Sequence, residues 1–239
     1  MKIYVGTSGY GYKEWKGLFY PEKIPAGEML RFYSERLGTV EINNTFYHMP
    51  TESVLLSWAE QVPRDFVFAL KAPQVITHLK RLRSVDDDIG YLFRTLPVLG
   101  RKLGPVLFQF PASFRADRQS LENFLDLIPV KISCSFEFRN KSWLGEEILA
   151  LLRKRGHSLC IADTDENPTN EIIKTAPWGY LRLRRSDYTD ADLSQWLARI
   201  HEQKWERVFV FFKHEDEAKG PEMAMRFREL SDSRIKETA

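Results

Sequence analysis

Short runs of β-branched and aromatic residues recur along the chain, and segments with the apolar spacing of amphipathic helices lie between most of them. The runs predict strands at residues 3–5, 40–43, 66–70, 105–110, 132–138, 158–163, 180–184 and 208–212. The intervening segments predict helices at residues 28–37, 52–61, 85–99, 118–127, 144–154, 190–200 and 218–230. Thr189 and Asp192 have the spacing of a capping box at the start of one helix. Strands six and seven lack a long helix between them, where residues 170–175 could form a short one.

Strands that alternate with helices in this way favour a parallel sheet. Eight such units favour a closed barrel over an open doubly wound sheet, and no G-x-G-x-x-G motif follows a strand. The sequence therefore predicts an α/β fold, a (β/α)8 TIM barrel, in which residues 1–239 form a single domain.

The predicted strands end in polar side chains, and barrels of this kind place their active sites at that end. On strand two, Glu41 and Asn43 share one face, so alternation points them into the barrel while Val40 and Ile42 face the helices. The other strands contribute Lys71, Gln109, Ser133, Ser135, Glu137, Arg139, Asp163, Tyr180, Arg182, Arg184, Lys213 and His214. Any one of them is also typical of a rim salt bridge. Together they predict a polar cavity, because ionisable groups are rarely buried without partners.

The first long loop, SGYGYKEWKGLFYPEKIP at residues 8–25, is rich in aromatic residues. Tyr10 and Trp15 belong to this loop and are candidates to stack on a sugar or a base at the mouth of the barrel. A hydrophobic cluster that covers this end of the barrel explains the same composition. Both interpretations stay open, and they are compatible with one another.

The composition is that of a globular protein, with 43% hydrophobic and 28% charged residues in a chain of 239. A net charge of +2 excludes neither an anionic ligand nor nucleic acid, but any basic patch must be local. Cys134 and Cys160 form no C-x-x-C pair, which favours free thiols over a disulfide scaffold or a zinc site. The N-terminus lacks the apolar core of a signal peptide, and no run approaches the roughly 20 residues of a membrane helix. We therefore expect a cytoplasmic protein without a membrane partner.

Five stretches carry a family resemblance: GTSGYGYKEWKGLFYP (6–21), VEINNTFYHMP (40–50), FVFALKAP (66–73), GPVLFQFPASF (104–114) and FEFRNKSW (136–143). They resemble the YecE-like family of TIM-barrel proteins, which is described as a domain of unknown function. The resemblance implies the barrel fold but no particular reaction. It also implies that the family's motif positions are occupied by Glu41, Asn43, Thr45, Lys71, Gln109, Glu137, Arg139, Trp143 and Asp163.

The ends of the last two strands depart from the pattern of that family. Its members commonly have a His-Gly pair after strand seven, where this chain has Arg184 and Arg185. They commonly have an Asn-Asn pair after strand eight, where this chain has Lys213 and His214. These departures add positive charge to one side of the mouth, which is consistent with a shifted substrate specificity.

A metal site is one chemistry that the candidate residues could support. His48, His78 and His214 could join Glu137 or Asp163 around one zinc or manganese ion. The chain has five histidines, however, and none has H-x-H or H-E-x-x-H spacing. We therefore predict no metal site, and the sequence specifies no cofactor.

An anion site is a second possibility, built from Lys71, Arg139, Arg182, Arg184 and Lys213. A phosphate or carboxylate group matches the fork of an arginine side chain. The positive charges would lower the pKa of Glu41 and Glu137. Alternatively, the cations only neutralise these carboxylates and Asp163 in a structural network.

Acid–base catalysis is the third possibility. Glu41 and Glu137 could flank a substrate as the two carboxylates of a glycosidase do. Equally, Glu137 could be the base and Lys71 the acid, or Lys71 could form a Schiff base if its pKa is depressed.

The sequence thus predicts an enzyme that acts by acid–base chemistry on a phosphorylated or sugar-like small substrate, or on a phosphodiester. The predicted catalytic residues are Glu41, Lys71, Glu137 and Asp163. The predicted binding residues are Tyr10, Trp15, Asn43, Thr45, His48, Gln109, Arg139, Trp143, Arg182, Arg184, Lys213 and His214. The alternatives are a non-catalytic barrel that binds nucleic acid at a basic, aromatic-lined mouth and, less favoured, a partner-binding scaffold.

Overall fold

The computed structural model describes residues 1–213 and 216–238, and within them eight parallel strands close into a barrel in chain order. The strands are β1 Lys2–Ser8, β2 Thr39–Ile42, β3 Val67–Lys71, β4 Leu103–Phe110, β5 Cys134–Phe138, β6 Ser158–Asp163, β7 Trp178–Leu183 and β8 Arg207–Phe212. Each corresponds to a predicted strand. The prediction of a (β/α)8 barrel is therefore confirmed.

Seven α-helices occur in the same described residues, and each corresponds to a predicted helix. They are α1 Met29–Ser34, α2 Glu52–Gln61, α3 Asp86–Thr95, α4 Arg118–Asp126, α5 Glu146–Arg155, α6 Asp190–Glu202 and α7 Lys219–Thr238. The α3 segment continues beyond Thr95 as a 3₁₀ helix at Leu96–Lys102, because Pro97 interrupts the α-helical hydrogen bonds. None of these helices is long and apolar enough to cross a membrane.

The predicted capping box forms at the start of α6. The Thr189 hydroxyl accepts a hydrogen bond from the Asp192 N–H at 3.2 Å, and the Asp192 carboxylate accepts one from the Thr189 N–H at 3.0 Å. Two backbone groups that have no partner inside the helix are thereby satisfied. This helix start is therefore specified by residues that are close together in the sequence.

The connection between β6 and β7 contains no helix among the described residues, so the short helix predicted at residues 170–175 was wrong. Side-chain hydrogen bonds hold this segment to the barrel instead. The Asp163 carboxylate accepts from the Thr169 N–H at 2.9 Å. The Thr175 hydroxyl accepts from the Leu159 N–H at 2.7 Å and donates to the His157 carbonyl at 2.8 Å. These contacts anchor both ends of the connection to β6 and its flanking residue.

The lower part of the barrel interior is filled by apolar side chains. The cluster consists of Tyr4, Val67, Ala69, Leu107, Cys160, Ala176, Trp178, Tyr180, Phe209 and Phe211. Tyr4 and Phe209 stack within it, with ring centroids 4.6 Å apart. This packing closes the N-terminal end, and the charged inward-facing residues Glu41, Lys71, Glu137 and Arg182 lie toward the C-terminal end, where the predicted site residues were expected.

The barrel wall is incomplete between β5 and β6 at its C-terminal end. The two strands pair only at Ser135 with Ser158 and at Phe136 with Leu159. On its other side, β5 stays paired with β4 as far as Phe138. The two strands therefore diverge toward the mouth and leave a gap in the wall.

Gly6→Ala tests the close approach of β1 to β2. A methyl group on Gly6 would lie 2.0 Å from the backbone carbonyl oxygen of Thr39, which cannot move without disturbing the pairing of the two strands. We expect the free energy of unfolding, measured by urea denaturation, to fall by about 3 kcal/mol.

Gly38→Ala is the matched control, because a methyl group there meets no atom within 4 Å. We expect it to change the free energy of unfolding by less than about 1 kcal/mol. Equal losses of unfolding free energy in the two variants would show that the close approach of Gly6 to Thr39 does not determine the cost of the added methyl group.

Candidate active site at the mouth of the barrel

A buried arginine on β7 binds two carboxylates from opposite parts of the barrel. Arg182 donates from Nη1 to Glu137 Oε2 at 2.6 Å and from Nη2 to Glu41 Oε1 at 2.8 Å. Tyr180, two residues earlier on β7, donates to the other oxygen of Glu41 at 2.7 Å. Arg182 is 2% exposed and Glu41 is fully buried, so these charges are stabilised by one another instead of by bulk water.

The inward positions of this cluster follow from strand alternation. Glu41, Glu137, Tyr180 and Arg182 all have the inward orientation that the sequence predicts. Tyr180 was placed on the inward face by alternation, but it was not among the predicted site residues.

Both carboxylates are held in the ionised form. Burial raises the pKa of Glu137, but the guanidinium groups of Arg182 and Arg139 outweigh this effect and lower it to about 2. Burial likewise raises the pKa of Glu41, and the charge of Arg182 with the hydroxyl of Tyr180 brings it below its usual value. The lowered pKa values confirm the expectation for both residues, and neither carboxylic acid is a proton donor near neutral pH.

A hydrogen-bonded relay connects Glu137 to Lys71. Gln109, from β4, donates from Nε2 to Glu137 Oε1 at 2.7 Å and accepts from Lys71 Nζ at 2.8 Å. The Lys71 ammonium also lies over the ring of Phe46, 3.8 Å from its centroid. Lys71 ends β3, so three consecutive inward positions on β3, β4 and β5 form this chain.

The amine of Lys71 has a strongly perturbed pKa. Burial lowers it most, the charges of Arg182 and Arg139 lower it further, and Glu41 and Glu137 partly oppose them. The resulting pKa is about 8 instead of the usual 10.5. About one tenth of the amine is therefore neutral at pH 7, far more than at the usual pKa, which makes Lys71 a candidate for proton transfer.

Further cations surround this cluster. The side chain of Arg139 is 47% exposed, and its Nε lies 3.3 Å from Glu137 Oε1. Arg184 is half-buried, and its guanidinium has no hydrogen-bond or ion-pair partner among the described residues. Burial and the charge of Arg182 lower the pKa of Arg184. Arg182 already neutralises one of the two carboxylates. The other carboxylate faces three further cations, Lys71, Arg139 and Arg184, so positive charge is in excess at the mouth.

A large cavity opens beside these cations. Its volume is about 1150 Å³, and it extends from the mouth into the gap between β5 and β6. Its lining includes four charged residues from the ends of β5, β7 and β8, namely Glu137, Arg139, Arg184 and Lys213. The cavity is thus large enough for a small organic ligand in contact with the cationic cluster.

His78 lies beside this site, and the sequence offers it only as a possible metal ligand. It lies after β3, with Nδ1 2.8 Å from the Thr77 hydroxyl and its ring edge-on to Phe46. Burial lowers its pKa, and the charges of Lys71 and Arg139 lower it further. The imidazole is therefore neutral near pH 7, and no signal in its immediate sequence distinguished it from the other histidines.

No group of three or more His, Cys, Asp or Glu side chains in residues 1–213 and 216–238 is arranged to hold a metal ion. His48 is exposed and has no hydrogen bond to the described cluster. His214, a predicted binding residue, lies outside the described residues.

Asp163 was predicted to be catalytic, but the structure places it outside the cluster. Its neighbour Ala162 lines the cavity with Cys160, so alternation turns Asp163 toward the outer layer. Its carboxylate accepts from Arg185 at 2.7 Å and from Tyr188 at 2.8 Å, and it is fully buried. Asp163 therefore fixes the chain after β7 instead of reaching the mouth.

The two predicted tryptophans are packing residues. Trp15 is 1% exposed among Tyr12, Phe19 and Tyr20, which supports a hydrophobic cluster as the explanation of the first loop. Trp143 is fully buried, and its indole N–H donates to the Phe114 carbonyl at 2.7 Å. Neither ring has a free face for a ligand.

The remaining predicted binding residues lie at the edge of the site. The Thr45 hydroxyl donates to the Lys71 carbonyl at 2.6 Å and so supports the end of β3. Asn43 follows β2 and is half-buried, without a side-chain hydrogen bond to the described cluster. Tyr10 is also half-buried and packs against Tyr33, with ring centroids 6.3 Å apart.

The chain is similar in sequence to proteins from several bacteria. UPF0759 protein YecE of Escherichia coli (strain K12) is 30% identical over an alignment of 184 positions, gaps included, that covers 73% of this chain. The chain spans only 65% of the length of that curated relative. UPF0759 protein YunF of Bacillus subtilis (strain 168) is 28% identical over an alignment of 273 positions, gaps included, that covers 96% of this chain and 95% of that protein.

The barrel is also similar to a solved structure. A crystal structure of a DUF72 family protein from Thermotoga maritima MSB8 superposes with a TM-score of 0.84 and 25% identity, covering 97% of this chain and all of the other. Residues 4–238 match the family described as Protein of unknown function DUF72. The predicted YecE-like resemblance is therefore confirmed, and this protein belongs to the DUF72 family.

Proposed function

We propose that this protein is an enzyme that binds a small phosphorylated or carboxylated substrate at the mouth of the barrel and transfers a proton through Lys71. The observation that carries the proposal is the amine of Lys71, with a pKa of about 8, inside a cluster where cations exceed carboxylates. Perturbed pKa values of this kind concentrate at functional sites.

Lys71 suits proton transfer better than either glutamate. A general acid or base is most effective when its pKa is near the working pH, and Lys71 meets this condition. Glu41 and Glu137 are ionised, and each is occupied by Arg182. This argues against the glycosidase-like pair, which requires one protonated carboxylic acid. Glu137 instead acts as a positioning residue, because it orients Gln109, which holds the amine.

Arg139 and Arg184 are the groups best placed to bind the anionic part of the substrate. Arg139 is half exposed, and the guanidinium of Arg184 lines the cavity without a partner among the described residues. A guanidinium presents paired donors that match the oxygens of a phosphate or carboxylate. An anion bound there would also restore charge balance beside Lys71.

A small anion is favoured over a nucleic-acid strand. The aromatic first loop, which was expected to stack on bases, is packed against itself around Trp15. Without that surface, a strand would depend on phosphate contacts alone, and the net charge of the chain is only +2.

Anion binding is tested by calorimetry with inorganic phosphate and a panel of phosphorylated and carboxylated metabolites at low salt. We expect binding that weakens at least 10-fold in Arg184→Met, because this guanidinium lines the cavity and offers paired donors to an anion. Arg101→Met is the matched control, since this exposed arginine lies before β4 at the opposite end of the barrel. Tight binding of single-stranded oligonucleotides with no response to the panel would favour the nucleic-acid alternative.

The pKa of Lys71 is measured by NMR after reductive ¹³C-methylation of the lysines. We expect one resonance to titrate near pH 8 and to be absent in Lys71→Met, while exposed lysines titrate near pH 10.4. Arg139→Met should raise this pKa, because it removes a positive charge that lowers it. A normal pKa for Lys71 in the native protein would remove the basis of the proposed role.

Turnover of a substrate identified from the panel is the direct test of catalysis. If the neutral amine is the base, kcat/KM should rise with pH and level off above about 8. Lys71→Met should lower kcat by about 10²–10⁴-fold. Lys131→Met, at an exposed position away from the mouth, should leave it unchanged. Retention of rate and pH profile in Lys71→Met would refute the assignment.

A further inference from the structure

The gap between β5 and β6 extends the cationic mouth through the barrel wall. The strands pair at Phe136 and Leu159 and then separate. On the other side of the gap, β6 stays paired with β7 up to Asp163. The opening is therefore limited to the C-terminal half of one strand pair, beside Glu137.

The cavity in this gap has two chemically different parts. The cationic part follows the ends of β5, β7 and β8 and contains Arg139, Arg184 and Lys213. The apolar part is lined by Phe138, Leu144, Leu159, Ile161 and Ile173. Ala162 also lines the cavity from β6, so a larger side chain at this position would occupy part of the space.

Away from the cationic part, the described lining carries three carboxylates against one cation, Lys141, and is therefore unfavourable for a second anionic group. The connection after β6 contributes Asp165, Glu166 and Glu171, all of them exposed. A polyanion that followed the cavity outward would meet these carboxylates, and like charges in proximity repel. A ligand with one anionic end therefore fits the cavity better than a strand of nucleic acid.

We propose that the substrate is an amphipathic organic anion, whose charged group binds the mouth and whose ring or aliphatic chain occupies the gap between β5 and β6. This inference rests on the proposed anion site and adds the chemical class of the rest of the ligand. The cavity has a volume of about 1150 Å³, which is sufficient for a drug-sized molecule. Burial of an apolar body in the gap provides affinity that phosphate alone cannot obtain.

Three probes separate the two parts of the cavity: 1-naphthyl phosphate, inorganic phosphate and 1-naphthol. We expect 1-naphthyl phosphate to bind at least 10-fold more tightly than inorganic phosphate in calorimetry. We expect 1-naphthol to bind more weakly than the ester, because it lacks the anion that the cations recognise. Equal affinities for the ester and for inorganic phosphate would overturn the proposal and leave the anion site intact.

Two substitutions in the full chain test the location of the apolar part. Ala162→Leu narrows the passage, and Leu144→Gln makes its wall polar without adding volume in the narrow part. Each should remove the 10-fold advantage of 1-naphthyl phosphate and change the affinity for inorganic phosphate less than 2-fold. Leu56→Gln on α2 is the matched control, since Leu56 is 45% exposed and Leu144 is 39% exposed.

The outcomes distinguish this inference from the proposed function. Circular dichroism shows whether the two variants are folded. If both are folded and still bind 1-naphthyl phosphate 10-fold more tightly than inorganic phosphate, the naphthyl group binds elsewhere and the inference is overturned. Failure of both inorganic phosphate and 1-naphthyl phosphate to bind the native protein would overturn the anion site and the inference together. Loss of the advantage in Leu144→Gln alone supports the inference even if Ala162→Leu fails to fold.

Discussion

The double ion pair of Arg182 with Glu41 and Glu137 is the interaction on which the mouth of the barrel depends. One guanidinium from β7 binds carboxylates from β2 and β5, and all three side chains are nearly inaccessible to water. Breaking such a buried pair typically costs about 3–5 kcal/mol, because an uncompensated charge remains. Its net contribution to stability is smaller than that of a well-packed apolar group. Its structural contribution is to hold the C-terminal ends of β2, β5 and β7 in one arrangement.

The chemistry of the neighbouring residues follows from this arrangement. Arg182 neutralises one of the two carboxylate charges, so the other offsets only part of the positive charge of Lys71, Arg139 and Arg184. Gln109 transmits the position of Glu137 to Lys71 through two short hydrogen bonds. Burial and the surrounding positive charge then bring the pKa of the Lys71 amine to about 8. The proposed anion binding and the proposed proton transfer would both follow from this one arrangement of charges.

The shape of the site depends on an irregularity of the sheet. A fully paired wall between β5 and β6 would close the barrel beside Glu137 and leave only a shallow mouth. Separation of the strands beyond Phe136 and Leu159 instead joins the polar interior to an apolar space outside it. The extended connection after β6, held by Asp163 and Thr175, covers this space in place of a helix. The cavity therefore lies between two irregularities, the gap between β5 and β6 and the connection without a described helix between β6 and β7.

The sequence by itself determined the eight strands, seven helices and the inward faces of β2, β5 and β7, because alternation and apolar spacing are local properties of the chain. Alternation was sufficient to place Glu41, Glu137 and Arg182 inside the barrel. Only the tertiary structure decided that one arginine binds both carboxylates, since Arg182 is 45 and 141 residues away from them. It also decided that Asp163 faces outward and that Trp15 and Trp143 are buried. These outcomes depend on which strands and loops meet in space, and that is set by closure of the whole barrel.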